Sequence, residues 1–358
     1  MSRESRALCV AVVSTPHIKT PPEGYGGCEA VAGGLVEELV RRGHEVTLFA
    51  TDDSHTSAAL RWFASALPRG PYGHQGYREI IHLAHALGHG HYDLVLNHCV
   101  QAVPILEVYR EAPALTTLHY RPQVLADFPH LGYVAVSRRQ AALCREAGLN
   151  VLGVVYNGID PAPYRVAPEK EDYLLWIGRF HFNKGPDLAI EVAERLGARL
   201  LLAAPPPPED QEEFFATRVR PRLGGRTEWI EGVEGEAKYR LFEKARCTLC
   251  PVRWEEPFGL VMVESMASGT PVVALRRGSI PEIVVDGVTG YIVDDVEGMA
   301  AAIERLEAID PYACRQHVEQ HFTAAAMTDG YLKLAASLSP DIARALSGQS
   351  TPESARAP

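Results

Sequence analysis

Two carboxylates, Glu256 and Glu264, stand eight residues apart in the run Arg253-Trp-Glu-Glu-Pro-Phe-Gly-Leu-Val-Met-Val-Glu-Ser-Met-Ala-Ser-Gly-Thr-Pro-Val-Val-Ala274. Pro257-Phe-Gly259 reads as a helix opening, so Glu256 falls just ahead of a helix N-terminus and Glu264 inside the helix. The backbone N–H groups of Phe258, Gly259 and Leu260 then point out of that end, where they suit hydroxyl or phosphate oxygens. Gly259 leaves room for a ligand to approach. At ~1.5 Å rise per residue the two carboxylates are at most ~12 Å apart along the axis. Two carboxylates at that spacing can hold two hydroxyl clusters of one extended ligand. The competing reading makes Glu256 a helix cap and Glu264 a surface residue.

A second pair has the opposite charge. Arg179 and Lys184 are five residues apart in a stretch expected to link a strand to a helix. Two cations there can clamp a diphosphate, the guanidinium in bidentate fashion; ordinary surface ion pairs are the alternative. Gly24-Tyr-Gly-Gly27 falls between the first strand and the first helix, and its backbone amides and the helix dipole suit an anion. His82, His85, His89 and His91 form a cluster, but no nearby cysteine or carboxylate completes a tetrahedral set, and a partly exposed helix accounts for them. Cys247 and Cys250 fall in a strand that turns i and i+3 to opposite sides, which argues against a redox or zinc pair. No Asp-x-Asp occurs in the chain. No metal is therefore assigned.

The elements that must position these groups alternate. Leu8–Ser14 reads as a buried strand, Glu29–Arg42 as a helix stopped by Gly43, and Glu45–Thr51 as the next strand. Further strands are expected at Tyr92–Asn97, Ala114–Leu118, Tyr133–Ser137 and Val151–Tyr156. The pattern breaks around Asp160 into Pro161, Pro163 and Pro168. It restarts with Tyr173–Gly178, helix 186–196, strands 199–204 and 227–231, helix 236–245, strand 247–251, helix 259–268 and strand Pro271–Leu275. Near-continuous apolar strands alternating with helices imply parallel sheets covered on both faces. The fold class is therefore α/β, with two doubly wound parallel-sheet domains. The first domain is expected over residues 1–165 and the second over 166–322. A last helix is expected at about 323–338, and a disordered Ser/Pro/Ala-rich tail over 339–358. Ligands of such sheets sit beyond the carboxyl ends of the strands.

Composition sets the outer bounds. The chain has 358 residues, 46% hydrophobic and 22% charged, enough for two cores. The net charge is -10; the first 168 residues carry 14 basic and 15 acidic side chains, the rest 21 and 30. A nucleic-acid binder would show a basic face, so no nucleic-acid partner is assigned, while peripheral membrane contact stays open. The pairs Arg41-Arg42 and Arg138-Arg139 read as solvated helix ends. No apolar run reaches the ~20 residues of a membrane span. With no signal-peptide pattern at the start and seven unframed cysteines, a cytoplasmic location is expected.

The carboxylate segment resembles the E-x7-E signature of retaining glycosyltransferases of family 4, which have the GT-B fold. The likeness runs on through Gly269-Thr-Pro-Val-Val-Ala and Gly278-Ser-Ile-Pro-Glu-Ile-Val-Val-Asp-Gly-Val-Thr-Gly-Tyr-Ile-Val293. Upstream, Ile177–Ile190 resembles that family's second-domain start and Asn157-Gly-Ile-Asp160 its interdomain turn. The resemblance is weaker from residue 52 to 112. It implies that the chain transfers a hexosyl-type sugar, expected to be UDP-linked, from a nucleotide-diphosphate sugar to an unidentified acceptor hydroxyl (saccharide, lipid or small molecule). It implies that Glu256 binds the transferred sugar with the amides of Phe258, Gly259 and Leu260. Glu264 would bind the ribose, Arg179 and Lys184 the diphosphate, and Gly26 and Gly27 would approach the phosphates. His119, at the end of Leu115–Leu118, would lie near the sugar. No cofactor beyond the donor and no catalytic metal is implied. The last helix would pack back on the first domain. Two rivals remain. An NAD-dependent oxidoreductase would use the glycine loop and Asp52 or Asp53, although Gly24-x-Gly26-Gly27 is not Gly-x-Gly-x-x-Gly. A non-catalytic nucleotide-sugar-binding protein would bind without turnover.

Overall fold

The computed structural model describes residues 6–63, 75–109, 111–120, 123–167 and 169–347. The first sheet has seven strands: β1 Cys9–Val13, β2 Glu45–Phe49, β3 Ala59–Arg61, β4 Leu94–Asn97, β5 Ala114–Leu118, β6 Tyr133–Ala135 and β7 Val151–Val154. Their order is β3-β2-β1-β4-β5-β6-β7 and every pairing is parallel. The second sheet has six: β8 Tyr173–Ile177, β9 Arg199–Ala203, β10 Thr227–Ile230, β11 Cys247–Cys250, β12 Val272–Leu275 and β13 Gly290–Val293. Their order is β10-β9-β8-β11-β12-β13, again all parallel.

The strands are short and apolar because both faces are covered. Val10, Val12, Leu48, Leu94 and Leu96 pack into one core of the first sheet, and Ala11, Val13, Phe49 and Val95 into another on the opposite face. Alternate residues of one strand thus serve two cores. In each sheet the strand order reverses beside the first strand, β1 and β8. The loops after these strands carry the glycine run and the Arg179–Lys184 stretch, at the place where such sheets bind ligands.

The chain returns to the first domain at its end. Ile159 N–H donates to Phe322 O and Ala324 N–H to Ile159 O, each at 2.9 Å, tying the outgoing and returning strands of the crossover. Helix Ala324–Leu338 then packs on helix Gly27–Arg41. Tyr331 and Thr117 share a buried hydrogen bond of 2.6 Å. Arg42 is not a solvated helix end: it donates to Ala325 O at 3.0 Å and pairs with Asp329.

The expected tail needs correction. Pro340–Leu346 is a helix, begun by Ser339, whose side chain accepts from Ile342 N–H, and by proline at the first helical position. Ile342 and Ala345 bury into the first-domain core, which holds the segment in place. Residues 348–358 of the expected tail lie outside the described residues. No helix among the described residues is long and apolar enough to cross a membrane.

Candidate active site

The loop after β8 is rigid by construction. His181 accepts from Asn183 N–H through Nδ1 at 3.0 Å and starts a short turn, Phe182–Lys184. Gly185 has φ +66°, and a Cβ there would stand 2.1 Å from Pro251 O, so only glycine lets this loop close against the loop after β11. Pro186 then begins helix Pro186–Leu196. Trp176 Nε1 donates to Lys184 O at 3.1 Å. The Lys184 main chain is therefore fixed, and its side chain crosses to the neighbouring loop.

There Lys184 Nζ meets Glu256 Oε2 at 2.6 Å. Glu256 is 6% exposed. Burial lowers the Lys184 pKa, but the charge and hydrogen bond of Glu256 outweigh it and hold the ammonium above its ordinary value. Trp254 Nε1 donates to the same oxygen at 2.8 Å. Arg253 braces the two loops: it grips Asp187 with two bonds of 2.8 and 2.7 Å, donates to Phe182 O at 2.8 Å and lies over the Phe182 ring.

Helix Leu260–Ala267 opens at Gly259, whose φ of +85° is left-handed and favours glycine. Glu256 stands just before this N-terminus and Glu264 inside the helix. Phe258 is buried, its carbonyl accepting from Ser279 Oγ at 2.8 Å. Glu264 has partners of its own, Lys238 Nζ at 2.6 Å and Tyr164 Oη at 2.9 Å.

The first domain meets these loops through its glycine run. Gly26 caps helix Gly27–Arg41. The Arg179 guanidinium lies 5.4 Å from the Tyr25 ring centre, and Gly235 N–H donates to Glu23 O at 3.1 Å. A Cβ on Gly27 would sit 3.5 Å from Leu260 Cδ1. The glycine run, Arg179 and the start of the 260–267 helix thus adjoin across the cleft. His119 is placed apart from these contacts. Its Nε2 shares a 2.8 Å hydrogen bond with His98 Nδ1, and the rings stack with centroids 5.1 Å apart. Burial lowers the pKa of both, His119 to about 4, so both are neutral at pH 7.

A second bridge spans the domains. The Glu282 carboxylate accepts from Arg138 N–H at 2.8 Å and Arg139 N–H at 2.7 Å, at the start of helix Arg138–Glu146. Tyr156 Oη also donates to it at 2.8 Å, and Arg139 pairs with Glu255 at 2.8 Å. The Arg138-Arg139 pair thus keeps exposed side chains at a helix start, as expected, and also makes an interdomain contact through its amides and the Arg139–Glu255 pair.

The other candidate clusters serve packing. His82 is buried beside Phe63, His85 and His89 pack on Phe49, and His91 pairs with Glu111. Cys247 and Cys250 are buried thiols whose pKa burial pushes up to about 12.

Trp254, Tyr164, Lys238, His98 and Glu282 were not singled out by the sequence reading. Trp254 and Glu282 lie within the quoted motifs and carried that much signal. Tyr164 and Lys238 approach Glu264 from 100 and 26 residues away, with no local pattern to mark them.

Residues 164–319 match the family model of glycosyl transferases group 1, and residues 25–163 match that of Glycosyltransferase Family 4. A glycogen synthase of Mycobacterium tuberculosis is 32% identical over 180 residues, 47% of this chain and 42% of the relative. The chain thus spans less than half the length of that curated relative. Among solved structures, AviGT4, a glycosyltransferase involved in avilamycin A biosynthesis, is 27% identical with a TM-score of 0.73, covering 92% of this chain and 98% of that one. HepE of Anabaena, solved in complex with UDP and glucose, is 17% identical with a TM-score of 0.70, over 92% of this chain and all of its own. The two parallel-sheet domains and these neighbours establish the GT-B fold.

Proposed function

We propose that this chain, a GT-B glycosyltransferase by the two family models it matches and by its fold, moves a hexosyl-type sugar from a UDP-linked donor to an acceptor hydroxyl with retention of anomeric configuration. The observation that carries the reading is the convergence of Arg179, Lys184 and Glu256 at the N-terminus of helix Leu260–Ala267, opposite the glycine run. Negative charge grows on the leaving diphosphate as the sugar departs. Two cations and free helix-end amides stabilise that charge without reorganising. With that role filled by side chains, the reaction needs no catalytic metal. Glu256 takes the hydroxyls of the transferred sugar. Glu264, inside the helix that Glu256 precedes, takes the ribose. A neutral His119 hydrogen-bonds the sugar or the acceptor. HepE, of the same fold, is described as binding UDP and glucose, which supports a UDP-sugar donor here.

Thermal unfolding with UDP, GDP, ADP, dTDP and NAD, each alone, tests the reading. A ligand at ~100 times its dissociation constant stabilises the folded state by ~2.7 kcal/mol. Stabilisation by UDP and not by NAD is the expected result. Stabilisation by NAD alone would overturn it in favour of an oxidoreductase.

A further inference from the structure

The Glu256 carboxylate is bound unevenly. Lys184 Nζ and Trp254 Nε1 both donate to Oε2, at 2.6 and 2.8 Å. The Lys184 ammonium also lies 5.0 Å from the centre of the Trp254 ring. One indole thus touches both members of the central ion pair.

The donor changes what Lys184 can do. A diphosphate carries more negative charge than a carboxylate, and an ammonium on a flexible stem turns toward it. Glu256, almost fully buried, then loses its ionic partner, and a buried carboxylate without a hydrogen-bond donor is costly. Trp254 cannot follow Lys184. Before it, Arg253 is pinned by Asp187 and by its own N–H on Asn183 O at 2.9 Å. After it, Glu256 O accepts from Ser279 N–H at 2.9 Å.

We propose that Trp254 is a positioning residue for the donor's sugar: its indole N–H holds Glu256 by Oε2 when Lys184 turns to the diphosphate, presenting Oε1 to the sugar hydroxyls. The assignment rests on the donor reading above. It makes the indole N–H matter most when a sugar is attached to the nucleotide, because Oε1 then has hydroxyls to meet.

Trp254→Phe keeps an aromatic face under Lys184 and removes the N–H. The full chain, wild type and variant, is titrated calorimetrically with UDP and separately with UDP-glucose, and kcat and KM are measured with UDP-glucose. The UDP dissociation constant should rise only a few-fold, since Lys184 turns to the diphosphate of UDP as well but no sugar draws on Oε1. The additional affinity of UDP-glucose over UDP, and kcat, should each fall about ten-fold, the scale of one hydrogen bond to a charged group. Trp254→His, which returns a ring N–H, should recover part of the loss. Unchanged UDP-glucose binding and turnover in Trp254→Phe would overturn the proposal. So would an equal loss for UDP and UDP-glucose, which would make Trp254 a structural wall of the site. If wild type binds neither compound, the donor reading fails, and the Trp254 assignment with it. If wild type binds both and Trp254→Phe keeps the wild-type preference for UDP-glucose over UDP, only the Trp254 assignment fails.

Discussion

Lys184 and Glu256, brought together from two loops 72 residues apart, share a 2.6 Å ion pair at the mouth of the second sheet. The pair places a cation and an anion where a donor would present phosphate and sugar, so removing either has a different consequence.

Lys184→Ala should weaken UDP binding by about 10- to 100-fold, the worth of one charge-assisted contact. It also leaves Glu256 with Trp254 as its remaining partner, so the melting temperature should fall. Calorimetric titration with UDP reads the first effect and a thermal melt the second. UDP affinity equal to wild type would remove Lys184 from the phosphate clamp.

Glu256→Gln keeps the shape and most hydrogen bonds but loses the charge. Lys184 is released from its partner, so UDP should bind within about three-fold of wild type. Transfer should fall at least about 100-fold, as when a polar group aimed at the reacting centre is lost. Equal losses in UDP binding and in turnover would make Glu256 a structural residue of the loop.

The sheets were legible because their strands are short apolar runs bounded by turn residues, and β4, β5, β8 and β11 fall within or at the expected bounds. Edge strand β3 was not, since Ala59–Arg61 is three residues long and too brief for a period to show. The Pro340–Leu346 helix had a signal that composition hid: Ser339-Pro340 is a cap followed by proline at the first helical position. Glu256, Glu264, Arg179 and Lys184 were visible from local spacing. Their partners were not, because Tyr164 reaches Glu264 from 100 residues away within the second-domain core, and Glu282 reaches Arg138 across the two domains. Local periodicity carries no such distance.

Glu282 closes the domains by capping a helix in the other half of the chain. Glu282→Ala removes the acceptor for Arg138 N–H, Arg139 N–H and Tyr156 Oη together. The amides of residues 138 and 139 should exchange with deuterium markedly faster, and the loss of a cap should cost about 1 kcal/mol. Hydrogen exchange read at peptide level checks this. Unchanged protection at the start of helix Arg138–Glu146 would mean that Ser137 suffices as its cap.

Tyr331→Phe tests the returning helix. The substitution leaves Thr117 Oγ1 buried without its 2.6 Å partner. A buried hydroxyl so orphaned costs about 1–3 kcal/mol. The unfolding midpoint should therefore move to lower urea concentration, while UDP binding, proposed to rest chiefly on Arg179 and Lys184 of the second domain, stays as in wild type. A transition unmoved by the substitution would show that the helix is held by its apolar face alone.

The stacked His98–His119 pair gives the first domain an acid-sensitive element. Burial lowers the His119 pKa from 6.5 to about 4 and that of His98 well below its ordinary value. Between pH 6.5 and about 4 the unfolded chain binds protons that the folded pair does not. Stability contributed by the neutral ring of His119 is full above pH 6.5 and drains away as pH falls through that window, by about 3 kcal/mol at most. His119→Gln keeps a hydrogen-bonding side chain but cannot be protonated there. Its stability curve should be flatter than wild type between pH 6.5 and 4, and above pH 7 the two should run parallel. Urea melts across this range decide the matter. Equal slopes in the two proteins would mean that His119 takes up its proton in the folded state as readily as in the unfolded one.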